Sequence, residues 1–400
     1  MRTFPLLYLM LFLLVYLLLT FAAYKSLKKT VTDRFRKVIS DIYWIFSVAM
    51  LLVFLFIYIY PYQPSRATNY PVYFYFNFIL FTDFVAKTPL TVALVLQYVF
   101  RKQNSNTILW SGLIMSVGFS LLLIYGVVLG QENVRIKQFE IQYKDLPSGF
   151  HDYKIVQISD THLGSFLKSN DVMEKSVSKI LKIDPDVIFF TGDMVNNFST
   201  EMKYWLPYFK EIAKNRVSYS ILGNHDYGDY MKWDSQQNKR ENFRAILETQ
   251  REMGFQLLLN ENTVLRSGED SVFLAGVENW GHPPFPQYAN LRKAMDGIPK
   301  DAFTILLTHD PAHWEAKVKN MKEIDLVLAG HSHGLQWGIN PAGIPLSLVY
   351  FVRANWSGMY KSENTLIVNT GLGLVGVPWR IDMPPEITVI TLKRGEIKGK

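Results

Sequence analysis

The sequence predicts an α/β protein in two parts: a bundle of four transmembrane helices, then a single domain whose strands form two sheets with helices outside. Three observations support this. The first 130 of the 400 residues are almost continuous apolar sequence. From about Gln131, short apolar runs alternate with amphipathic stretches, and after Leu257 the runs become mostly strand-like. A hydrophobic content of 49% leaves room for a large soluble core as well as a membrane portion.

In the first part four blocks, residues 5–24, 42–62, 72–100 and 107–129, are each long enough to cross a hydrocarbon layer of roughly 30 Å. The third contains Asp83, Lys87 and Pro89. Asp83 and Lys87 stand four apart on one helix face, which favours a structural ion pair inside the bundle over a functional intramembrane site. Basic residues cluster after the first span (Lys25, Lys28, Lys29, Arg34, Arg36, Lys37) and after the third (Arg101, Lys102), against Arg66 alone after the second. Positively charged loops tend to stay in the cytosol, so four spans place both termini, and everything after Leu129, on the far side. A cleaved signal peptide is the competing reading of the first block, but it would leave the most basic loop outside.

Charge separates the two parts as well. The first 130 residues hold 11 Lys/Arg against 3 Asp/Glu, and the remaining 270 hold 31 against 32, so the net +7 belongs to the membrane part. The domain of residues 131–400 is near neutral and offers no electrostatic case for nucleic-acid binding. Cysteine is absent, which excludes disulfides, thiolate zinc sites and a cysteine nucleophile.

Within the second part, "KIVQIS", the amphipathic "NDVMEKSVSKILKI" and "DVIFFT" form a strand-helix-strand unit. "YWLPYFKEIAK" leads into the strand "VSYSIL", and "NFRAILETQREMG" ends in Gly254, suited to a helix C-terminus, before "FQLLL". "NTVLRSGEDSVFLAGV" reads as a hairpin around residues 267–270, followed by the strands "FTILLT", "IDLVLA", "TLIVNT" and "ITVITL".

Five of the eight histidines stand at or just beyond the C-terminal end of such a strand. The endings are Asp160-Thr-His162, Gly192-Asp193, Gly223-Asn-His-Asp226, His309-Asp310 and Gly330-His-Ser-His-Gly334. Strand ends line the ligand crevice of open α/β sheets, so five such endings can converge on one place. Asp, His and Asn without sulfur suit Mn²⁺, Fe²⁺ or Zn²⁺, with Mg²⁺ less favoured by the imidazoles. Asp160, His162, Asp193, Asn224, His309, His331 and His333 are too many for one ion, and two ions sharing a carboxylate is the economical arrangement. Such a pair, roughly 3.5–4 Å apart, lowers the pKa of a bound water and holds the oxygens of an in-line displacement at phosphorus.

The ordered set D-T-H, G-D, G-N-H-D, H-D, G-H-S-H-G resembles the calcineurin-like metallophosphoesterase superfamily. With "VQISDTHLG", "TGDMVNN", "LGNHDY", "LAGV" and "VNTGLG", it is similar to the membrane-anchored bacterial phosphohydrolase branch over roughly residues 136–392. The resemblance implies two mixed β-sheets packed as a sandwich and flanked by helices. It implies Asp160, His162 and His333 as ligands of a first metal, Asp193 as the bridge, and Asn224, His309 and His331 as ligands of a second. His225 would face the substrate, donating a proton to the leaving oxygen or stabilising phosphoryl charge. One departure is Leu335, where members of this branch often have a second glycine. Asp226 and Asp310 are read as orienting or turn residues, and His151, His282 and His313 match no motif.

The implied activity is hydrolysis of a phosphate ester or anhydride by a hydroxide held between the metals, and the implied place is a bacterial cytoplasmic membrane with the domain on its outer side. A membrane tether raises the effective concentration of substrates in the bilayer plane, which favours a lipid-linked phosphate. "GIPLSLVYFV", residues 343–352, is either a lipid-facing flap with Trp356 beyond it or a core strand with its approach loop. A UDP-diacylglucosamine pyrophosphatase activity is the alternative, although its nucleotide-linked substrate would lie on the cytosolic side. A membrane phosphate sensor without turnover is the alternative of another class, against which the intact His225 speaks.

Overall fold

A computed structural model describes residues 6–59, 70–100, 106–167, 171–281, 286–338, 347 and 354–395. His282 and nearly all of residues 343–352 lie outside these, as do Arg66, Arg101 and Lys102. The chain divides into two compact units, Met1–Val128 and Leu129–Lys400.

The first unit holds α1 (Leu6–Thr30), α2 (Asp33–Ile59), α3 (Tyr70–Val99) and α4 (Asn106–Tyr125), the last running on through a π-helical turn, Gly126–Gly130. All four are long and apolar enough to span a membrane. Their ends differ from the expected blocks. Lys25, Lys28 and Lys29 lie on α1 and Arg34, Arg36 and Lys37 on α2, leaving Val31 and Thr32 as the link. Straight-chain basic residues are good helix formers, Lys28 and Lys29 sit favourably at the negative end of the α1 dipole, and Asp33 at the positive end of α2. Gly112 of α4 lies against Ala93 and the Pro89 carbonyl of α3, the close approach that a small residue permits between membrane helices. Asp83 and Lys87 pair inside the bundle, Nζ to Oδ2 at 2.7 Å. Tyr16 donates its hydroxyl to the same oxygen at 2.6 Å and accepts from Lys87 at 3.0 Å.

The second unit contains two six-stranded mixed sheets. The first has the order β1-β12-β2-β3-β4-β5, made of β1 (Arg135–Tyr143), β12 (Glu386–Arg394), β2 (Lys154–Ile158), β3 (Val187–Thr191), β4 (Val217–Ile221) and β5 (Gln256–Leu257). The second has the order β10-β11-β9-β8-β7-β6, made of β10 (Gly358–Lys361), β11 (Thr365–Val368), β9 (Leu326–Ala329), β8 (Thr304–Leu307), β7 (Asp270–Gly276) and β6 (Glu261–Ser267). The predicted hairpin is β6-β7, paired antiparallel from Glu261↔Gly276 to Ser267↔Asp270. β1 and β10 were not anticipated. β1 alternates only weakly and has a single buried position, Ile141, so its place is set by pairing with β12 over nine positions.

Alternation along the strands builds three layers of core. In β3, Val187 and Phe189 face the space between the sheets, packed with Ile305, Leu307, Leu326 and Leu328. Ile188 and Phe190 face outward onto α5 (Val172–Ile183), α6 (Leu206–Ala213) and α7 (Gln236–Glu252) through Ile180, Phe209 and Ile246. Leu306, Val327 and Leu366 cover the outer face of the second sheet with Trp314 and Val318. Strands buried on both faces read as unbroken apolar runs, and each fully buried Ile, Leu or Phe contributes about 1.5–3 kcal/mol. Gln157 is the polar exception in β2: it is fully buried and donates to the Ala329 carbonyl of β9 at 2.8 Å and to Thr191 Oγ1 of β3 at 3.1 Å, tying both sheets together beneath the strand ends.

Candidate metal centre

β2, β3 and β4 are parallel neighbours, as are β8 and β9, so the segments leaving their C-terminal ends emerge along one edge of each sheet. Asp160, His162, Asp193, Asn224, His225, His309, His331 and His333 all lie on those segments. The backbone must turn at once to aim them inward. Asp160, His162, Asp193, His331 and His333 all take left-handed φ values between 41° and 69°, a conformation costly for residues other than glycine that persists only where the surroundings impose it. Gly192, at φ 94°, stands where a Cβ would come within 2.7 Å of His309 Nδ1.

Two sets of atoms converge. In the first, His162 Nε2 lies 3.1 Å from His333 Nε2, which lies 3.3 Å from Asp160 Oδ1. In the second, His309 Nε2 is 3.1 Å from Asn224 Oδ1 and 3.1 Å from His331 Nδ1. Asp193 Oδ2 belongs to both, 3.6 Å from His162 Nε2 and 3.2 Å from His309 Nε2. The other Asp193 oxygen is occupied, accepting the His225 backbone N–H at 2.8 Å. All seven expected ligands are thus brought together, in two groups that share one carboxylate oxygen.

The donor chemistry fits divalent cations. His309 Nδ1 faces the Thr191 carbonyl at 2.7 Å, and since a carbonyl only accepts, Nδ1 carries the hydrogen. With an ion bound and the ring neutral, Nε2 would present a lone pair beside those of Asn224 Oδ1 and Asp193 Oδ2; without one, a proton on Nε2 supplies the charge. Such a gathering needs a positive charge at its centre. Two ligand atoms each about 2.1 Å from one ion lie about 3.0–3.4 Å apart at octahedral or tetrahedral angles, which is the spacing seen here. The same crowding shows in the titration of these groups. Burial pushes His309 down, but Asp193 and Asp160 outweigh it and raise the ring to about 10. Against the upward push of burial, the surrounding histidines hold Asp160 and Asp193 below the usual carboxylate range.

Further residues hold these side chains in place, and sequence reasoning missed or only half saw them. Asp226 accepts the backbone N–H groups of Asp193, Met194 and Gly223 at 2.9–3.0 Å, fixing two of the turns to each other. Asp310 Oδ2 lies 3.7 Å from His331 Nε2, behind the nitrogen that faces His309. Glu201, buried, accepts from the backbones of Gly164, Asn196, Asn197 and Phe198 at 2.6–3.0 Å and so shapes the loop after β3. Arg380, fully buried, donates to the carbonyls of Thr370, Gly373 and Met383. That arch backs the Asp160 turn, since Gly373 donates its N–H to the Asp160 carbonyl at 2.8 Å. A lone arginine in "VPWRIDMPP" was the sequence's hint of it. Of the unmatched histidines, His151 is half exposed beside Asp152, and His313 is buried, its ring stacked on Trp280.

Residues 153–335 match the calcineurin-like phosphoesterase family. The chain is 27% identical over 286 residues to a zebrafish (Danio rerio) transmembrane protein with metallophosphoesterase domain, covering 69% of this chain and 61% of that protein. It is 29% identical over 276 residues to the uncharacterized metallophosphoesterase YkuE of Bacillus subtilis, covering 67% and 89%. Over 235 residues it is 28% identical to the UDP-2,3-diacylglucosamine pyrophosphatase LpxG of Chlamydia trachomatis, covering 48% and 68%. The matched stretch thus spans about three fifths of the zebrafish relative's length. Residues 153–335 thus carry a calcineurin-like phosphoesterase domain, similar to those of relatives named metallophosphoesterases.

Proposed function

We propose that this protein is a membrane-anchored dimetal phosphohydrolase that cleaves a phosphate ester or anhydride, with a lipid-linked phosphate as its substrate. The observation that carries this reading is Asp193 Oδ2, set within 3.6 Å of a histidine from each of two ligand groups. Asp160, His162 and His333 would hold the first ion, Asn224, His309 and His331 the second, and Asp193 would serve both. Bound there, two divalent cations supply charge for the phosphoryl oxygens and acidify water.

The remaining chemistry falls to the chain. His225 gives its Nδ1 hydrogen to the Asn196 carbonyl at 2.8 Å, which leaves Nε2 as the nitrogen that carries a proton to the substrate. As the oxygen of water, losing a proton to solvent, bonds to phosphorus and the bond to the leaving oxygen breaks, His225 Nε2 protonates the leaving oxygen, preventing return of a charged leaving group. Its ring is held by an edge contact from His162, with centroids 4.7 Å apart.

Four apolar helices and the similarity to a transmembrane relative support the anchored, lipid-linked part of the reading. The basic residues at the α1–α2 junction favour a cytosolic junction, hence a catalytic unit on the outer face of a bacterial cytoplasmic membrane. A pyrophosphatase acting on a diacylated sugar nucleotide is the second reading, favoured by the similarity to LpxG.

The test is hydrolysis of bis-p-nitrophenyl phosphate by the full chain in detergent with added Mn²⁺, followed by incubation with a membrane lipid extract and with UDP-2,3-diacylglucosamine. Release of nitrophenol and loss of a phosphate-containing lipid support the first reading, whereas turnover of the sugar nucleotide alone supports the second. Tight phosphate binding without turnover of any of them would overturn both in favour of a sensor.

A further inference from the structure

Tyr230 lies six residues beyond Asn224, on the loop between β4 and α7, and its ring is 37% exposed. Burial does not hold it there, yet it touches two residues of the site. Asn224 Nδ2 donates to the Tyr230 hydroxyl at 2.7 Å. The Tyr230 ring stacks on the His225 imidazole, with centroids 4.4 Å apart and planes 19° from parallel.

We infer that Tyr230 is a positioning residue that locks Asn224 and His225 relative to one another, so that the second metal site and the proton donor are assembled together. The inference rests on the dimetal reading given above.

A carboxamide offers an oxygen at one end and an N–H₂ at the other, and only the oxygen can hold a cation. With Nδ2 committed to the tyrosine hydroxyl, Oδ1 is the end turned to His309 Nε2, at 3.1 Å. Without that partner the partly exposed side chain loses the anchor at its far end, and with it the alignment of Oδ1. The stack acts on the neighbouring residue. His225 is anchored through Nδ1 to Asn196, but one hydrogen bond still allows the ring to swing about it. Tyr230 on one side and the His162 edge on the other close that freedom.

The loop that presents Tyr230 is built to keep it in place. Gly228 turns at φ 66°, its carbonyl accepts from Trp233 Nε1 at 2.8 Å, and the Trp233 ring packs edge-on against Phe198, 5.4 Å away. Phe198 belongs to the segment that Glu201 organises, so the tyrosine is referenced to the same loop whose Asn196 holds His225.

Two substitutions separate the two contacts. Tyr230→Phe keeps the stack and loses the hydroxyl, and Tyr230→Ala loses both. Metal-stripped full chain in detergent is titrated with Mn²⁺ by calorimetry, and turnover of bis-p-nitrophenyl phosphate is followed at rising Mn²⁺. For Tyr230→Phe the dissociation constant of one of the two ions rises about 10–100-fold, the usual cost of removing a partner behind a metal ligand, while that of the other moves less than about threefold. Its turnover is rescued by excess Mn²⁺. Tyr230→Ala shows the same loss of affinity, but excess Mn²⁺ leaves kcat about tenfold down with KM little changed.

If the wild-type chain binds two ions and Tyr230→Phe binds both as tightly, or if Tyr230→Ala is rescued as fully as Tyr230→Phe, the inference is overturned while the dimetal reading stands. If the wild-type chain takes up no second ion, the dimetal reading itself has failed.

Discussion

His162 and His333, 171 residues apart in the chain, bring their Nε2 atoms to 3.1 Å of each other in the buried floor of the site. Both rings are desolvated, and burial pushes both below the ordinary histidine value, so at neutral pH they face each other uncharged. Near enough for a hydrogen bond, the two nitrogens also have the spacing of two ligands on one cation.

The distinction between holding ions and moving protons gives the first prediction. Asp193→Ala removes the one oxygen common to both groups and is expected to abolish turnover together with metal loading. His225→Ala removes the proposed proton donor and is expected to lower turnover by about 10²–10⁴-fold while both ions remain. Elemental analysis beside phosphodiester hydrolysis checks it, and equal metal content in the two variants would deny Asp193 its bridging role.

Leu335 carries strain that no ligand duty explains. It is 48% exposed at φ 51°, two residues past His333, in a conformation that costs an ordinary residue about 1–2 kcal/mol. Leu335→Gly removes that cost and gives part of it back as chain entropy in the unfolded state. The expected gain is about 0.5–1 kcal/mol, read as a melting temperature a few degrees higher, and Leu335→Val should move it the other way.

His313 makes stability depend on pH. Its ring is buried against Trp280, with Nδ1 3.0 Å from Thr308 Oγ1, and burial pushes it down from 6.5 to about 4. The folded state resists a proton that the unfolded chain accepts. Its contribution is therefore fully present above pH 6.5, declines as pH falls through the interval to 4, and amounts to about 3 kcal/mol for a gap of this size. His313→Gln should flatten the thermal stability profile between these limits; an unchanged slope in the variant would remove His313 as its source.

In the membrane unit, Lys87 and Asp83 neutralise each other where water is scarce. Lys87→Met leaves a buried carboxylate that still accepts from Tyr16 and should destabilise by about 3–5 kcal/mol. The double variant Asp83→Leu/Lys87→Met should recover most of that loss, as measured by thermal unfolding in detergent. A double variant as unstable as the single one would mean that the pair serves more than mutual neutralisation.

What the sequence by itself determined were the features that local spacing encodes. Strands buried on both faces appear as unbroken apolar runs such as "VIFFT" and "IDLVLA", and the residues at their ends name the site because a turn after a strand is where a side chain can leave the sheet. The membrane helices are equally local in origin, since hydropathy over some twenty residues is enough to define a span. Tertiary structure decided what depends on distant partners. Glu201, Arg380, Gln157 and Tyr230 belong to no repeating pattern, and an acid, an arginine, a glutamine or a tyrosine looks the same in a sequence whether it faces water or holds a catalytic loop. Their roles exist only once burial has removed water and left particular N–H and C=O groups to be satisfied. The same holds for the single Asp193 oxygen between two histidines that enter from different strands: chain order supplies the donors, but only the packing of the two sheets sets the ångström spacing on which a shared ion depends.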